Sequence, residues 1–588
     1  MHGLIAYSGP DTDAARRAID TFTTSTTTAV SHDNRTIVAT LGSGTTTKLI
    51  TANNSAAAFF GSAAQGCTSN PTALLDADPD DVVAVGFGAE GELVAAAGRG
   101  SHRLFVHRTA NGATWVSSSL HALRRVVPGL LLDRAYEDFL LGFGFVPEPH
   151  SMYQRVEVVK AGTRTVATTT ANVTATPYAA NASSNRDEII DSLHEALIGT
   201  IADQAGNHRR HAVLLVGFDS ALVAAVLVGL GHEVETYTFR FADSTYVQRN
   251  VDTLTNYLGI RHHWVDFDSS VIASNLRGFA ATFTQPGSQP HYQIHTLHAA
   301  RQIAADGHTH IFTGDGCDAI FLGYPTVSRR AAIAAATKRM PLALTRLAAG
   351  TLSTGVVERR LGHVARMARG TLRNRLLDET VGAHLPTQVF DAAALGRLRT
   401  SASPTQAETV LAIRTRLAAG LEHLNRTQLA FNGNGLNGQS KVKVDGAVAA
   451  TGVAQASPFM HARLRTFVSG IPFEYLRSAG SSASSAGKEI LVDMVRRHGL
   501  LPDIIIDQPK QSPSDSPVDG WYMNELRNEI LDQLGDLPFT WNKRYVEGLL
   551  APKAAEAWYR NKVSLSHHTM QVIGLLSSYA SFNRNPGT

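Results

Sequence analysis

Four side chains in two short segments have the types and spacing to do chemistry. The first segment is Val213-Leu-Leu-Val-Gly-Phe-Asp-Ser-Ala-Leu222, an apolar run that enters a tight turn at Gly217, Asp219 and Ser220 and leaves it as a helix. Free N–H groups at a helix start attract phosphate oxygens, and the Ser220 hydroxyl adds a donor. Asp219 beside a phosphate is repulsive unless a magnesium ion lies between them. The alternative is a strand–helix turn with Asp219 as its cap. The second segment is Ile311-Phe-Thr-Gly-Asp-Gly-Cys-Asp-Ala-Ile-Phe-Leu-Gly-Tyr324. Here Asp315 and Asp318, with Gly314 and Gly316 around them, suit a hard-cation site facing the first loop. A plain Gly/Asp turn is the alternative, and a second such loop on the same sheet weighs against it.

Both segments need a sheet to present them. The pattern predicts a helix starting at Asn185-Arg-Asp-Glu, with Ile189, Ile190, Leu193, Leu197 and Ile198 on its apolar stripe. Strands are expected at His211–Val216, Val234–Phe241, His262–Phe267 and His310–Thr313. Helices are expected at Ala221–Leu230, Val251–Leu258 and His295–Ala305. Strands alternating with helices imply a parallel sheet covered on both faces, with ligands at the carboxyl ends of its strands. From Val327 onward the chain reads mostly as helices, interrupted by loops at Asn432–Gln439, Ser478–Gly487 and Gln508–Asp519. The first 170 residues read as short strands, including Val82–Phe87, Leu93–Ala96 and Leu104–Val106, with a hairpin turn at Asn111-Gly112. A Thr/Ala/Ser/Asn-rich stretch near 170–186 divides the chain into expected domains 1–175 and 186–588.

Composition removes several classes. Of 588 residues, 44% are hydrophobic and 18% charged, which excludes disorder and a coiled coil. Lys and Arg total 53 against 50 Asp and Glu, and the bases are dispersed, so no nucleic-acid partner is expected. Two cysteines, Cys67 and Cys317, cannot make a disulfide scaffold. The run Ala212–Gly231 is as long as a membrane span. A central Asp costs ~2.5–3.5 kcal/mol there, so the run is read as a strand and a helix. The apolar run at the N-terminus is too short for a signal peptide, and a soluble, cytoplasmic protein without a membrane span is expected.

The two loops, in this order and spacing, resemble the synthetase domain of the asparagine synthetase family. That family carries a pyrophosphate loop Ser-Gly-Gly-x-Asp-Ser and a downstream Gly-Asp-Gly-Gly-Asp-Glu. Gly452 to Leu464, with Ser457-Pro458-Phe459, resembles its Arg-x-Pro-Phe-Leu-Asp block. Lys488 and Leu501-Pro-Asp-Ile-Ile-Ile-Asp-Gln-Pro-Lys510 resemble its closing Lys…Leu-Pro…Arg-x-Lys segment. At the front, Met1-His2-Gly3 sits where the family begins Met-Cys-Gly, and Tyr136 to Gly162 resembles the end of its glutaminase-like domain. The resemblance implies a fold of mixed class, α/β with α+β: an N-terminal degenerate Ntn-type glutaminase-like sandwich, then a parallel-sheet PP-loop synthetase domain with many helices.

The resemblance also implies a reaction. A carboxylate attacks the α-phosphate of ATP, pyrophosphate leaves, and a bound amine displaces AMP to form an amide. ATP and magnesium are the implied cofactors. Leu215, Gly217, Asp219, Ser220, Gly314 and Gly316 fall at the nucleotide-binding positions, and Asp219 and Asp318 at the metal positions. Lys510 falls where a cation meets the developing oxyanion. His2 replaces the family's cysteine, cannot form a thioester, and implies no glutaminase activity. Leu215 and Val216 replace the first Ser and Gly of the loop, Cys317 and Ala319 replace Gly and Glu, and Ala454 and Ala456 replace Glu and Arg. Relatives without a glutaminase include β-lactam synthetases, carbapenam synthetases and lasso-peptide macrolactam cyclases. Asp315, the second candidate catalytic residue, stands where β-lactam synthetases carry a ring-closing Tyr. The long helical tail suits a lasso-type cyclase acting on a peptide or amino-acid derivative, with a leader peptidase and leader-binding protein as pathway partners. A non-catalytic nucleotide- or partner-binding relative is the competing class. The remaining candidates carry blander readings: His291, His295 and His298 as a helix face, His262-His263 as packing, Cys317 as a non-nucleophile, Tyr324 and Trp521 as packed aromatics.

Overall fold

The computed structural model describes residues 2–22, 26–30, 34–42, 47–52, 55–61, 82–87, 91–98, 102–146, 149–159, 163–166, 172–174, 180–241, 246–323, 333, 337, 339–352, 368–369, 371–372, 376, 389–390, 392–399, 441–476, 488–508, 517–538, 541–549 and 564–584. The Thr- and Val-rich first third folds into two six-stranded antiparallel sheets. One holds β1 (Gly3–Ser8), β2 (Thr26–Val30), β3 (Thr36–Leu41), β8 (Phe105–Arg108), β9 (Thr114–Ser117) and β10 (Val156–Val158), in the order β10-β8-β9-β1-β3-β2. The other holds β4 (Thr47–Ala52), β5 (Ser55–Gly61), β6 (Val82–Phe87), β7 (Leu93–Ala97), β11 (Thr163–Val166) and β12 (Asn172–Thr174), in the order β12-β11-β7-β6-β5-β4. Alternate residues of both sheets, among them Leu4, Ala6 and Val38 from one and Ala58, Val83 and Ala95 from the other, share one buried cluster, so the sheets stack face to face. The Asn111-Gly112 turn joins β8 to β9, and Gly112 adopts φ +84°, a left-handed conformation that favours glycine.

The second half is built on a five-stranded parallel sheet: β13 (Arg210–Leu214), β14 (Glu233–Arg240), β15 (Arg261–Asp266), β16 (His310–Thr313) and β17 (Ala454–Ala456), in the order β15-β14-β13-β16-β17. Burial on both faces explains the near-continuous apolar runs of β13 and β16. One face packs on helices Arg186–Ala205, Phe218–Gly229 and Glu489–Arg497. The other packs on helices Pro290–Ala305 and Lys441–Thr451, through Ala299, Ile303 and Ala447 against Ala212, Tyr237 and Ile311. The helix Arg186–Ala205 begins where the sequence places it, with the Asn185 side chain accepting from the Asp187 N–H. β17 was not expected. Its Ala454, Gln455 and Ala456 are buried, and they add an edge strand that brings a distant segment beside β16.

The two halves are not separate bodies. The largest buried cluster joins Ile5, Trp115, Leu123 and Tyr153 to Leu276, Phe283, Leu575 and Phe582. Polar ties cross the same seam. Arg103 donates to Thr284 Oγ1 at 2.5 Å and Arg124 to the Ala280 carbonyl at 3.2 Å. Glu137 accepts from Arg399 Nη2 at 2.8 Å and from the Tyr579 hydroxyl. No helix among the described residues is long and apolar enough to cross a membrane. The Ala212–Gly231 run is the end of β13 and the whole of the helix Phe218–Gly229.

Candidate active site

In the strand order, β13 lies between β14 and β16, and the direction of winding reverses between β13 and β16. At such a switch point the two neighbouring loops diverge and leave a crevice at the carboxyl ends of the strands. The loops that follow β13 and β16 are the two segments singled out above. They touch: a Cβ on Gly314 would lie 2.7 Å from Asp219 Cβ and 2.7 Å from the Ser220 N. Gly316 turns the second loop at φ +95°, leading into a short helix, Cys317–Ile320, whose first turn carries Asp318.

The carboxylates of Asp219 and Asp318 converge on one ammonium. Lys488 Nζ is 2.5 Å from Asp219 Oδ1 and 2.7 Å from Asp318 Oδ1, and all three side chains are largely buried. Burial alone would lower the lysine's pKa, but the two carboxylates outweigh it and hold Lys488 well above the usual lysine range. The Cys317 thiol sits beside this group. Burial, then the Asp219 carboxylate, pushes it well above its usual range, so it is a neutral thiol and not a nucleophile.

Two expected nucleotide contacts are engaged elsewhere. The Leu215 side chain is buried in the core beneath the sheet. Its N–H donates to the Tyr237 carbonyl at 2.7 Å, and its carbonyl accepts from Thr238 Oγ1 at 2.8 Å. Leu215 is the last rung of the strand pairing rather than the first residue of the loop. The Ser220 hydroxyl is also turned inward. It accepts from the N–H groups of Val216 and Gly217 at 2.8 and 3.2 Å and donates to the Gly217 carbonyl at 3.0 Å. It staples the loop shut at the start of the helix Phe218–Gly229. Gly217 has φ 179°, an extended conformation open to any residue, and a Cβ there would meet nothing within 4 Å. That side of the loop opens outward, next to the exposed Val216.

Asp315 belongs to a second ionic group in the same crevice. Lys443 Nζ lies 2.6 Å from its Oδ1, and Thr313 Oγ1 donates to its Oδ2 at 3.2 Å. Thr313 Oγ1 is 2.8 Å from Ser457 Oγ and accepts from Gln455 Nε2 at 3.3 Å, so the β17 strand end joins the site. Lys443 escaped the sequence reading. The signal was its place one turn before Ala447 on the buried face of the helix Lys441–Thr451, an unusual setting for a cation. Lys510 and Tyr324 lie outside the described residues, as do the loops Asn432–Gln439 and Ser478–Gly487.

The remaining candidates fall into structural settings. His295 is enclosed by Phe239, Phe241 and Phe267, and burial holds it well below the ordinary histidine range. His298 Nε2 is 3.0 Å from the Asp266 carbonyl oxygen. No group of three or more His, Cys, Asp or Glu suited to a metal occurs among the described residues, and His291, His295 and His298 lie along one helix, Pro290–Ala305. Trp521 stacks on Phe267 as a packed aromatic. His263 is 2.7 Å from Glu235 and His262 2.9 Å from Thr236 Oγ1. His2 lies against Gly452, where a Cβ would be 2.7 Å from its ring, beside the lead into β17.

A search of curated proteins finds no match to the chain. A family model described as Asparagine synthase matches residues 193–580, a span that holds the whole parallel sheet, both loops, Lys443 and Lys488. With well over half its length in that match, the chain belongs to the asparagine synthase family.

Proposed function

We propose that this chain, a member of a family of ATP-dependent ligases, is an enzyme that forms an amide bond with the help of ATP. Within that class we propose an AMP-forming synthetase that activates a carboxylate as its adenylate and gives it to a bound amine, without hydrolysing glutamine. The observation that supports it most is the meeting of Asp219 and Asp318 at the switch point, on loops from adjacent parallel strands. Magnesium is held in proteins by one or two carboxylates plus substrate phosphates, and this pair fits that donor set. When bound there, the ion supplies the charge that neutralises a leaving pyrophosphate. The helix Phe218–Gly229 starts at this loop, and the N–H groups of a helix's first turn suit phosphate oxygens. Lys510 is assigned the charge on the developing oxyanion.

The substrate class follows from the neighbouring pair. Asp315 presents an anion suited to an ammonium group, and Lys443 a cation suited to a carboxylate, 2.6 Å apart. A substrate carrying both an amine and a carboxylate can replace each partner of that pair and be held with its two reacting groups together. Such proximity accounts for up to ~7–11 kcal/mol of a barrier. We assign the substrate as a peptide closed into a macrolactam, as in lasso-peptide biosynthesis. His2, in place of a cysteine and packed on Gly452, supports a non-hydrolytic N-terminal half of the glutaminase-like, Ntn type. The test is product analysis. Purified protein with Mg-ATP and an amine-bearing peptide carboxylate is expected to yield AMP and pyrophosphate, and no glutamate from added glutamine. Formation of ADP and phosphate, or steady release of glutamate, would sink the reading.

A further inference from the structure

Lys488 occupies its position against local preference. It has φ +66°, a left-handed conformation that is unfavourable for a non-glycine residue. The ammonium reaches the two carboxylates through a notch at Gly323. A Cβ on Gly323 would lie 2.3 Å from Asp318 Oδ1 and 2.4 Å from Lys488 Cε, so only glycine leaves the passage open. The Lys488 N–H is bonded to the Phe321 carbonyl at 3.2 Å, which fixes the backbone at the same point. The Phe218 ring lies 5.8 Å from the ammonium on the phosphate-loop side. A strained backbone, a glycine notch and a buried side chain describe a cation held at a chosen spot, not a solvated lysine.

That spot lies between the two carboxylates assigned to the metal. We propose that Lys488 is a resident stand-in cation that keeps a divalent metal out of the Asp219–Asp318 position until nucleotide phosphates arrive. The inference rests on the reading of those carboxylates as a metal–phosphate site. Charge and ligand number give the reason. Two carboxylates and one ammonium leave the group one negative charge from neutrality. A metal entering alone must evict the ammonium and gains only two carboxylate ligands, while the displaced charge, still buried, has no anion to go to. Phosphates reverse both terms, since they complete the metal's oxygen shell and give the ammonium new partners. Metal entry then depends on nucleotide. Lys488 is a positioning residue in this scheme, setting the order in which the site is assembled.

Manganese as a spin probe tests this on the full chain, without nucleotide and without knowledge of the substrate. The parent protein is expected to bind Mn²⁺ weakly. Lys488→Met is expected to gain one Mn²⁺ per chain, at least tenfold tighter than the parent by electron paramagnetic resonance titration. Asp318→Asn in that background should remove the gain. Mn²⁺ should also raise the melting temperature of Lys488→Met and not that of the parent. Lys488→Gln, a shorter polar replacement, is the second variant. A variant that folds only with Mn²⁺ supports the proposal, and one that stays unfolded with it overturns it. Folded variants that bind no more Mn²⁺ than the parent, or a parent that binds it equally well without nucleotide, also overturn it. A parent that binds Mg-ATP while the variants gain no Mn²⁺ leaves the proposed function standing and removes this inference. Variants that gain Mn²⁺ in a protein that never binds Mg-ATP remove the proposed function and the role of nucleotide here, and leave only the exclusion of metal by Lys488.

Discussion

The two ends of the parallel sheet handle buried charge in opposite ways. At the carboxyl end, two carboxylates share one ammonium, Asp219 and Asp318 on Lys488. At the amino end, one carboxylate collects several donors. Glu235 accepts from Arg210 at 2.7 Å, Arg261 at 2.6 Å and His263 at 2.7 Å, with His308 at 3.5 Å, and its side chain is 4% exposed. Burial pushes the Glu235 pKa up, but the hydrogen bonds from Arg210 and His263 outweigh it and bring it down to about 2. The amino end is saturated and has nothing left to bind. The carboxyl end has two carboxylates for one ammonium. Under the proposed function, the same sheet carries a fastening at one end and a site for a further cation and its phosphates at the other.

Substitutions should separate the two. Asp219→Asn and Asp318→Asn are each expected to lower Mg-dependent AMP formation by about 10²–10³ or more, a typical loss for a group that stabilises developing charge. Circular dichroism should show the fold retained, with some loss of melting temperature because each change removes one partner of the buried Lys488 ammonium. Turnover within a few-fold of the parent in either variant would remove that carboxylate from the metal position. Glu235→Gln should do the opposite. Removing the carboxylate leaves Arg210 and Arg261, 41% and 75% exposed, to water, so the cost is a fraction of the ~3–5 kcal/mol of a fully buried pair. Urea unfolding should show a loss of that order, with turnover per folded molecule unchanged. A large drop in turnover without a loss of stability would erase the contrast.

The smallest effect is a pH slope at the amino end. His211 is packed among His208, His232, His310 and Phe312, and burial, followed by the nearby histidines, brings it down to about 3. The unfolded chain takes up that proton near pH 6.5, so stability contributed by neutral His211 is complete above about 6.5 and falls as the pH drops toward 3. His262, lowered mainly by burial to about 4, acts in the same direction. Glu235 adds a further loss below about pH 4.3, its ordinary unfolded value. His211→Gln should flatten the decline of unfolding free energy between pH 6.5 and 4 by up to ~1.4 kcal/mol per pH unit, one proton's share. An unchanged slope would remove His211 from the account.

Much of this contrast was legible in the chain. The apolar strands, the helix start at Asn185 and the two loops follow from periodicity and turn residues, because buried parallel strands leave strong local signals. Asp219 and Asp318 could be placed at strand ends for the same reason. What sequence did not supply was the pairing: Lys488 stood out only as part of the closing Lys…Leu-Pro segment, and Lys443 not at all. Lys488 and Lys443 reach the site from segments far along the chain, and only the packing of the helices Glu489–Arg497 and Lys441–Thr451 brings them in. The orientation of Ser220 was not legible for a different reason. A hydroxyl at a loop can face a ligand or its own backbone, and composition does not say which. β17 was missed because three residues, Ala454 to Ala456, carry no periodicity.

The seam between the halves has a consequence for how the protein is made. Trp115 and Leu123 share a core with Leu575 and Phe582, and Glu137 is tied to Arg399 and Tyr579. During synthesis, domains ordinarily fold as they emerge, first residues first. Here the β-sheets of the first third can form early, but their apolar flank stays uncovered until the helix Ser564–Arg584 has left the ribosome. At roughly 5–20 residues per second, that flank is exposed for tens of seconds. A nascent chain of this protein should therefore be a client of holding chaperones through most of its translation, and a truncation ahead of residue 564 should aggregate rather than yield a working first half.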